Sequence, residues 1–224
     1  VIANCLFSGI HSPAGGAIFV GDADMLFLAN EISSNSSSLN GGGVLCANYM
    51  GTYTPILMMN DIHDNDAQNG GGMAFMNDSG TVAVANYVHH NTAHDLGGGV
   101  YVWAANSNIL LNYIVNNRTT HSPSDGGGIS LVEPVQTNVI GNIIQNNSTQ
   151  RRGGGIHVKG KKGVPSSMPR IALNWVTNNH TPFQGGGIAV EENGMGLFLG
   201  NFVDQNTAIY GGGVACWESS PHFF

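Results

Sequence analysis

Apolar residues in this chain recur two apart, in short bursts, and the bursts themselves repeat. After each of eight glycine-rich triplets the first and third positions are apolar: Ile18/Val20, Val44/Cys46, Met73/Phe75, Val100/Val102, Ile129/Leu131, Ile156/Val158, Ile188/Val190 and Val214/Cys216. That is the period of a strand with one face buried, and no segment holds the 3.6-residue period with the length and caps of an amphipathic helix. Upstream segments alternate as well, as in Leu26/Leu28, Val82/Val84 and Leu197/Leu199. The pattern predicts about three short strands per repeat, separated by bends.

The repeat carries two further marks. The triplets open at Gly41, Gly70, Gly97, Gly126, Gly153, Gly185 and Gly211, after a degenerate Gly15-Gly16-Ala17-Ile18, at spacings of 26 to 32 residues. Ahead of each lies an asparagine: Asn4, Asn30, Asn60, Asn86, Asn112, Asn142, Asn174 and Asn201. Two residues later comes an aliphatic, from Leu6 and Ile32 to Val176 and Val203, and five residues later a second asparagine: Asn35, Asn65, Asn91, Asn117, Asn147, Asn179 and Asn206, with Gly9 in the first copy. Units of this size suit single coils of a parallel β-solenoid, which stack about 4.8 Å apart. Eight would make a rod roughly 35–40 Å long. Stacked asparagines donate and accept along the stack as ladders, and glycine triplets supply the close approach of a corner. The expectation is one all-β domain over residues 1–224, with 218–224 as a short tail.

The pattern Asn-x-Ile-x-x-Asn followed by Gly-Gly-Gly-Ile resembles the right-handed parallel β-helix repeat proteins. These include bacterial secreted passengers, polysaccharide lyases and the chlamydial polymorphic membrane proteins, whose Gly-Gly-Ala-Ile motif Gly15-Gly16-Ala17-Ile18 matches. The right hand follows from this resemblance alone. So does an extracellular or cell-surface location. One fold hosts enzymes, adhesins and fibres, so the resemblance speaks for fold more than for activity.

Composition narrows the classes. Of 224 residues 42% are hydrophobic and 9% charged, so the chain is not a charge-driven disordered one. The longest apolar run is far short of a membrane-spanning helix. The 33 glycines lack collagen's every-third spacing, and a net charge of −7 argues against nucleic acid as a partner. The chain starts at Val1 without an initiator Met or signal peptide, which reads as a processed product or an excised piece. It starts and ends inside a repeat: Val1-Ile2-Ala3-Asn4 matches Phe27-Leu28-Ala29-Asn30, so the first coil is read as lacking its opening strand and the last its final two. Open coil ends point to head-to-tail stacking into a filament, to flanking coils of a longer chain, or to self-capping. Ile2, Cys5, Leu6, Val214, Cys216, Phe223 and Phe224 are the candidate end-to-end interface. Cys5, Cys46 and Cys216 are too few for a disulfide framework. Buried small hydrophobes are the plain reading, and a Cys5–Cys216 bridge between chains the sharper one.

The candidate chemistry is sparse. Six of the seven basic residues, Arg151, Arg152, Lys159, Lys161, Lys162 and Arg170, lie within 151–170. They read as a solvated insertion or as a patch for an anionic polysaccharide. The lyase resemblance would make Lys159 or Lys161 a proton-abstracting group and Arg170 a clamp, with Glu191 and Glu192 as the nearest carboxylates. No cofactor is required, but oxygen-rich Asp22 and Asp24, and Asp61, Asp64 and Asp66, are candidates for a structural Ca²⁺. The residue after the first asparagine runs Cys5, Glu31, Asp61, Tyr87, Tyr113, Ile143, Trp175, Phe202, an outward column that turns apolar from Tyr87 onward. Glycosylation sequons at Asn35, Asn77, Asn117, Asn146, Asn147 and Asn179 coincide mostly with the repeating asparagines, and an inward amide there could not be modified. The likeliest role on this reading is a fibre subunit or adhesin-stalk segment, the alternative a carbohydrate-active β-helix protein.

Overall fold

A computed structural model describes residues 1–77, 79–161 and 168–224. The chain winds as a parallel β-solenoid with no helix among the described residues, and so none long and apolar enough to cross a membrane. One coil, the second, runs through Leu26–Leu28 (sheet A), Glu31–Ser33 (sheet B), Ser36–Asn40 (sheet C) and Val44–Ala47 (sheet D). Each strand pairs in parallel with its counterpart in the coils above and below. Among the described residues the sheets hold nine, eight, five and eight strands, respectively.

The strands are short because single left-handed residues break them. In the second coil Ala29 (φ 53°) closes A, Ser34 (φ 57°) closes B and Gly41 (φ 67°) precedes D. The A–B bend falls on Ala29, Met59, Ala85, Leu111 and Leu173, side chains that disfavour positive φ. Glycine is indispensable one step later: a Cβ on Gly98 would lie 2.3 Å from the Gly127 carbonyl oxygen of the next coil. Only a bare backbone lets the coils close to stacking distance there.

The interior is a set of stacked columns. Sheet A supplies Phe27, Leu57, Ala83, Ile109, Val139, Ile171 and Phe198; sheet B supplies Ile32, Ile62, Val88, Ile114, Ile144 and Val176; the first and third positions of each D strand complete the core. Each large aliphatic buried this way contributes about 1.5–3 kcal/mol. Cys46 sits in a D column, where burial pushes its thiol up to about 12.

Four features depart from the expectation. The fourth strand, sheet C, went unrecognised because its inward column is small and mostly polar: Ser37, Ala67, Ala93 and Thr119, continued by Thr149 and Thr181. Beyond Thr119 that sheet persists only as isolated bridges such as Arg118↔Ser148↔His180↔Thr207. In sheet A the middle residue faces inward, so Leu26, Leu28, Val82, Val84, Leu197 and Leu199 line the half-buried outer side. The first coil is shifted by one residue: Ile2 pairs with Phe27 and Leu6 with Glu31, so a short A strand is present. Asn4 occupies the left-handed bend (φ 53°), which asparagine tolerates, and Cys5 and Ile10 take the ladder positions. Phe7 rather than Leu6 then packs against the core. At the other end His222–Phe223 pairs with Leu197–Leu199 and Phe223 stacks on Phe198 at 4.6 Å, so the tail opens a further turn of sheet A.

Candidate functional site on the outer face of sheet D

The asparagines form two complete ladders. One runs Asn30, Asn60, Asn86, Asn112, Asn142, Asn174, Asn201 and the other Asn35, Asn65, Asn91, Asn117, Asn147, Asn179, Asn206. In each step Nδ2 donates to the next Oδ1 and to a carbonyl of the preceding coil, while Oδ1 also accepts a backbone N–H. Up to Asn174 and Asn179 these side chains are at most 2% exposed. A buried amide is tolerated only when both ends are bonded, and here they are.

Sheet D differs from its neighbours on its outer side. The outward positions Leu45, Ala74, Tyr101, Ser130, His157 and Ala189 are as buried as inward ones. Leu96, Met76, Trp103 and Val132 cover the apolar half of this face. From Ser130 onward it turns polar, and the residues just ahead of the glycine triplets supply its other wall through the bridge Asp125↔Arg152↔Gln184.

A charged network fills that half. Arg151 grips Asp125 with two bonds, Nε at 3.0 Å and Nη2 at 2.6 Å, and reaches Glu191 Oε1 at 3.4 Å. Arg152 ion-pairs with Glu191 Oε2 and donates from Nε to Gln184 at 3.0 Å. His157 Nε2 lies 3.0 Å from Glu191 Oε1 and Nδ1 3.1 Å from Ser130 Oγ. A carboxylate only accepts, so Nε2–H donates to Glu191, and the neutral ring's Nδ1 accepts from Ser130. Burial lowers the His157 pKa to about 4, so the ring is neutral at pH 7. Burial pushes the Asp125 carboxyl up, but His157, Arg151 and Arg152 outweigh it and hold the group below its usual range.

The network balances itself: two carboxylates against two guanidinium groups. Donor atoms of Asp125, His157 and Glu191 converge within 4.8 Å, as metal ligands would. Two arginines already neutralise the carboxylates of that set, so a further cation would meet like charge.

Outside the buried part, the expected basic patch is dispersed. Lys159 pairs with Glu192 at 3.0 Å, which holds that carboxyl below its usual range, and Lys161 pairs with Glu133 at 3.5 Å. Arg170 lies in sheet A between Asn138 and Leu197, on another face. Lys162 lies outside the described residues. The open part of the face is a cleft of about 350 Å³ lined by Arg152, Glu191, Glu192, Asn193, Trp217 and Glu218. It is richer in carboxylates than in cations, with an exposed indole as one wall.

The oxygen-rich aspartates fall on separate parts of the coil. Asp22 Oδ1 accepts from the backbone N–H of Tyr49 (2.7 Å) and Met50 (3.0 Å), and Asp24 Oδ1 from that of Thr54 (2.7 Å). These carboxylates tie one inter-sheet loop to the next. Asp61 and Asp64 bond the histidines of sheet B, and Asp66 bonds His94 at 3.1 Å. The outward column holds from Glu31 to Phe202 through the sheet B register, with Leu6 in place of Cys5. Tyr87, Tyr113, Trp175 and Phe202 are each about half exposed, and Trp175 packs on Phe202 at 4.4 Å. Of the end residues, Ile2 and Val214 are half-buried and Leu6, Phe223 and Phe224 exposed. Cys5 and Cys216 are exposed free thiols, so only Cys46 is a buried hydrophobe. Sequence reasoning missed Asp125, Ser130 and His157. Aligning the residue before each triplet with the second position after it would have brought them together.

A family model described as right handed beta helix region matches residues 1–201 and supplies the hand of the winding. No curated protein and no solved structure matches the chain.

Proposed function

The chain belongs to the right-handed β-helix family, and from that premise we propose that it serves outside the cell or on its surface as a stiff rod, a stalk or fibre segment. The supporting observation is the pair of uninterrupted buried asparagine ladders, seven residues each, that tie successive coils together. Sheet pairing alone would stack the coils. The ladders add a second set of bonds inside the wall, at both ends of every B strand, and resist shear between coils.

End-on association is part of this reading, and the ladder chemistry ranks the partners. Asn201 and Asn206 each spend one Nδ2 hydrogen on a carbonyl, of Ile171 and Val176. The other, by the repeat, is directed at the next coil's Oδ1. A flanking coil with asparagine at both positions continues the ladders. The first coil of a second copy presents Cys5 and Ile10 there, so a homopolymer joined end to end would pair its sheet edges but interrupt both ladders.

The Trp217 cleft favours a second reading, polysaccharide binding. An exposed indole beside carboxylates, an amide and one guanidinium offers a stacking surface and hydroxyl partners, suited to neutral sugars more than to polyanions. Purified chain incubated with neutral and uronic-acid polysaccharides, and imaged by negative-stain electron microscopy, tests both. Rods without new reducing ends or unsaturated products are expected. Depolymerisation of any polysaccharide overturns the scaffold reading, and retention lost in Trp217→Ala favours the second.

A further inference from the structure

The outer face of sheet B carries a group of side chains that neither the ladders nor the sheet D cleft uses. Asp61 and His63 stand two apart on one strand and so share a face. The register sets His89 beside His63 one coil on, and Glu31 beside Asp61 one coil back. Single ligating atoms of Asp61, His63 and His89 lie within 4.8 Å of one another. His89 Nε2 is 2.9 Å from Asp61 Oδ1, and His63 Nε2 is 3.6 Å from Glu31 Oε1. The two imidazoles stack nearly parallel at 4.8 Å, the separation the coils impose.

The far sides of both rings are held as well. His63 Nδ1 lies 2.8 Å from Asp64 Oδ2, and His89 Nδ1 lies 2.8 Å from His90 Nδ1. With Nδ1–H donated to Asp64 and to His90, each ring presents an unprotonated Nε2 toward the carboxylates. A ring oriented by an acceptor on one nitrogen, with the other free to ligate, is the usual arrangement around a metal-binding histidine. The side chains remain accessible: His63 and His89 are 21% and 15% exposed, Glu31 and Asp61 about half.

We propose that Asp61, His63 and His89, with Glu31 as fourth donor, form a site for one borderline divalent transition-metal ion such as Zn²⁺. Two imidazoles and two carboxylates are a donor set for Zn²⁺, Co²⁺, Ni²⁺ or Cu²⁺, whereas Ca²⁺ takes six to eight oxygens. The ion would bridge three successive coils through side chains on the wall, a cross-link independent of the ladders.

The test is calorimetric titration of the whole chain with Zn²⁺, with Co²⁺ absorption as a report on ligand type. The expected result is one ion per chain and visible bands of a Co²⁺ ion bound by imidazole. His63→Gln and His89→Gln are each expected to weaken binding by about tenfold or more. His94→Gln combined with His121→Gln, a stacked pair on the neighbouring face, is expected to leave it unchanged. Circular dichroism of each variant confirms that the coil is intact. Absence of Zn²⁺ binding, binding that survives loss of His63 and His89, or Ca²⁺ binding in preference to Zn²⁺ would each overturn the assignment.

Discussion

Asn112 donates from Nδ2 to Asn142 Oδ1 at 3.0 Å, and its own backbone N–H converges on the same oxygen at 2.9 Å. One carbonyl thus holds both the side chain and the main chain of the coil behind it, in a place without solvent. Asn112→Ala would orphan the Nδ2–H and backbone N–H of Asn86 and the Ala83 carbonyl. Each buried orphan costs about 1–3 kcal/mol, so a loss of about 3–6 kcal/mol is expected. At the partly exposed Asn201, where water can replace the lost partners, Ala is expected to cost about 1–2 kcal/mol. Urea titration followed by circular dichroism compares the two. Equal effects would mean that the ladder carries little beyond local packing.

Glycine triplets differ in what they tolerate. Gly98→Ala puts a Cβ 2.3 Å from the Gly127 oxygen and 2.6 Å from the Arg118 oxygen, both backbone atoms of the next coil. Gly213→Ala meets nothing nearer than Val203 Cγ1 at 3.7 Å. The first variant is expected to fail to fold or to lose several coils of protection in hydrogen exchange. The second is expected to keep the parent melting temperature within a few degrees, and a large drop there would contradict the stacking argument.

Stability should fall on mild acidification because of His157. Its folded pKa of about 4 is below the ordinary 6.5, so between those values the unfolded chain binds a proton that the folded chain refuses. That contribution is whole above pH 6.5 and is lost as pH falls toward 4, by about 3 kcal/mol in all. Asp125, with its carboxyl held down, adds a further loss at lower pH as it protonates. His157→Gln keeps a donor for Glu191 and an acceptor for Ser130. It should flatten the slope between pH 6.5 and 4, and an unchanged slope would place the acid sensitivity elsewhere.

Of the six sequons, Asn35, Asn117, Asn147 and Asn179 point into the ladders, whereas Asn146 is exposed and Asn77 half-exposed. In a glycosylating host, glycopeptide mass spectrometry is expected to find sugar at Asn146 and Asn77 alone. Sugar on any ladder asparagine would require an unfolded coil during modification.

How much was legible follows the columns. Asparagine, glycine and the D-strand pairs recur at fixed offsets, so coil number, ladders and inner face were readable by alignment. Where a column varies in chemistry the reading weakened. Sheet C passes through Ser37, Ala67, Ala93 and Thr119, with no hydrophobic alternation to mark it. The first coil was misplaced by one because Asn4 imitates a ladder residue while standing in a bend that other coils build from Ala29, Met59 or Leu111. The charged residues of 151–170 looked like one patch in sequence. Their partners Asp125, Glu133, Glu191 and Glu192 come from other coils, and only the register of the sheets reveals the neutralisation.

The two ladders run in the same sense, every side-chain N–H aimed from the Asn30 end toward the Asn201 end. Amide dipoles so aligned add along the axis, as peptide dipoles do in a helix. The rod is therefore electrically polar: positive where Asn201 and Asn206 stand, negative at the opposite face. Such rods lying side by side attract in antiparallel order and repel in parallel, so any bundle they form at low ionic strength carries an alternating orientation written into its asparagines.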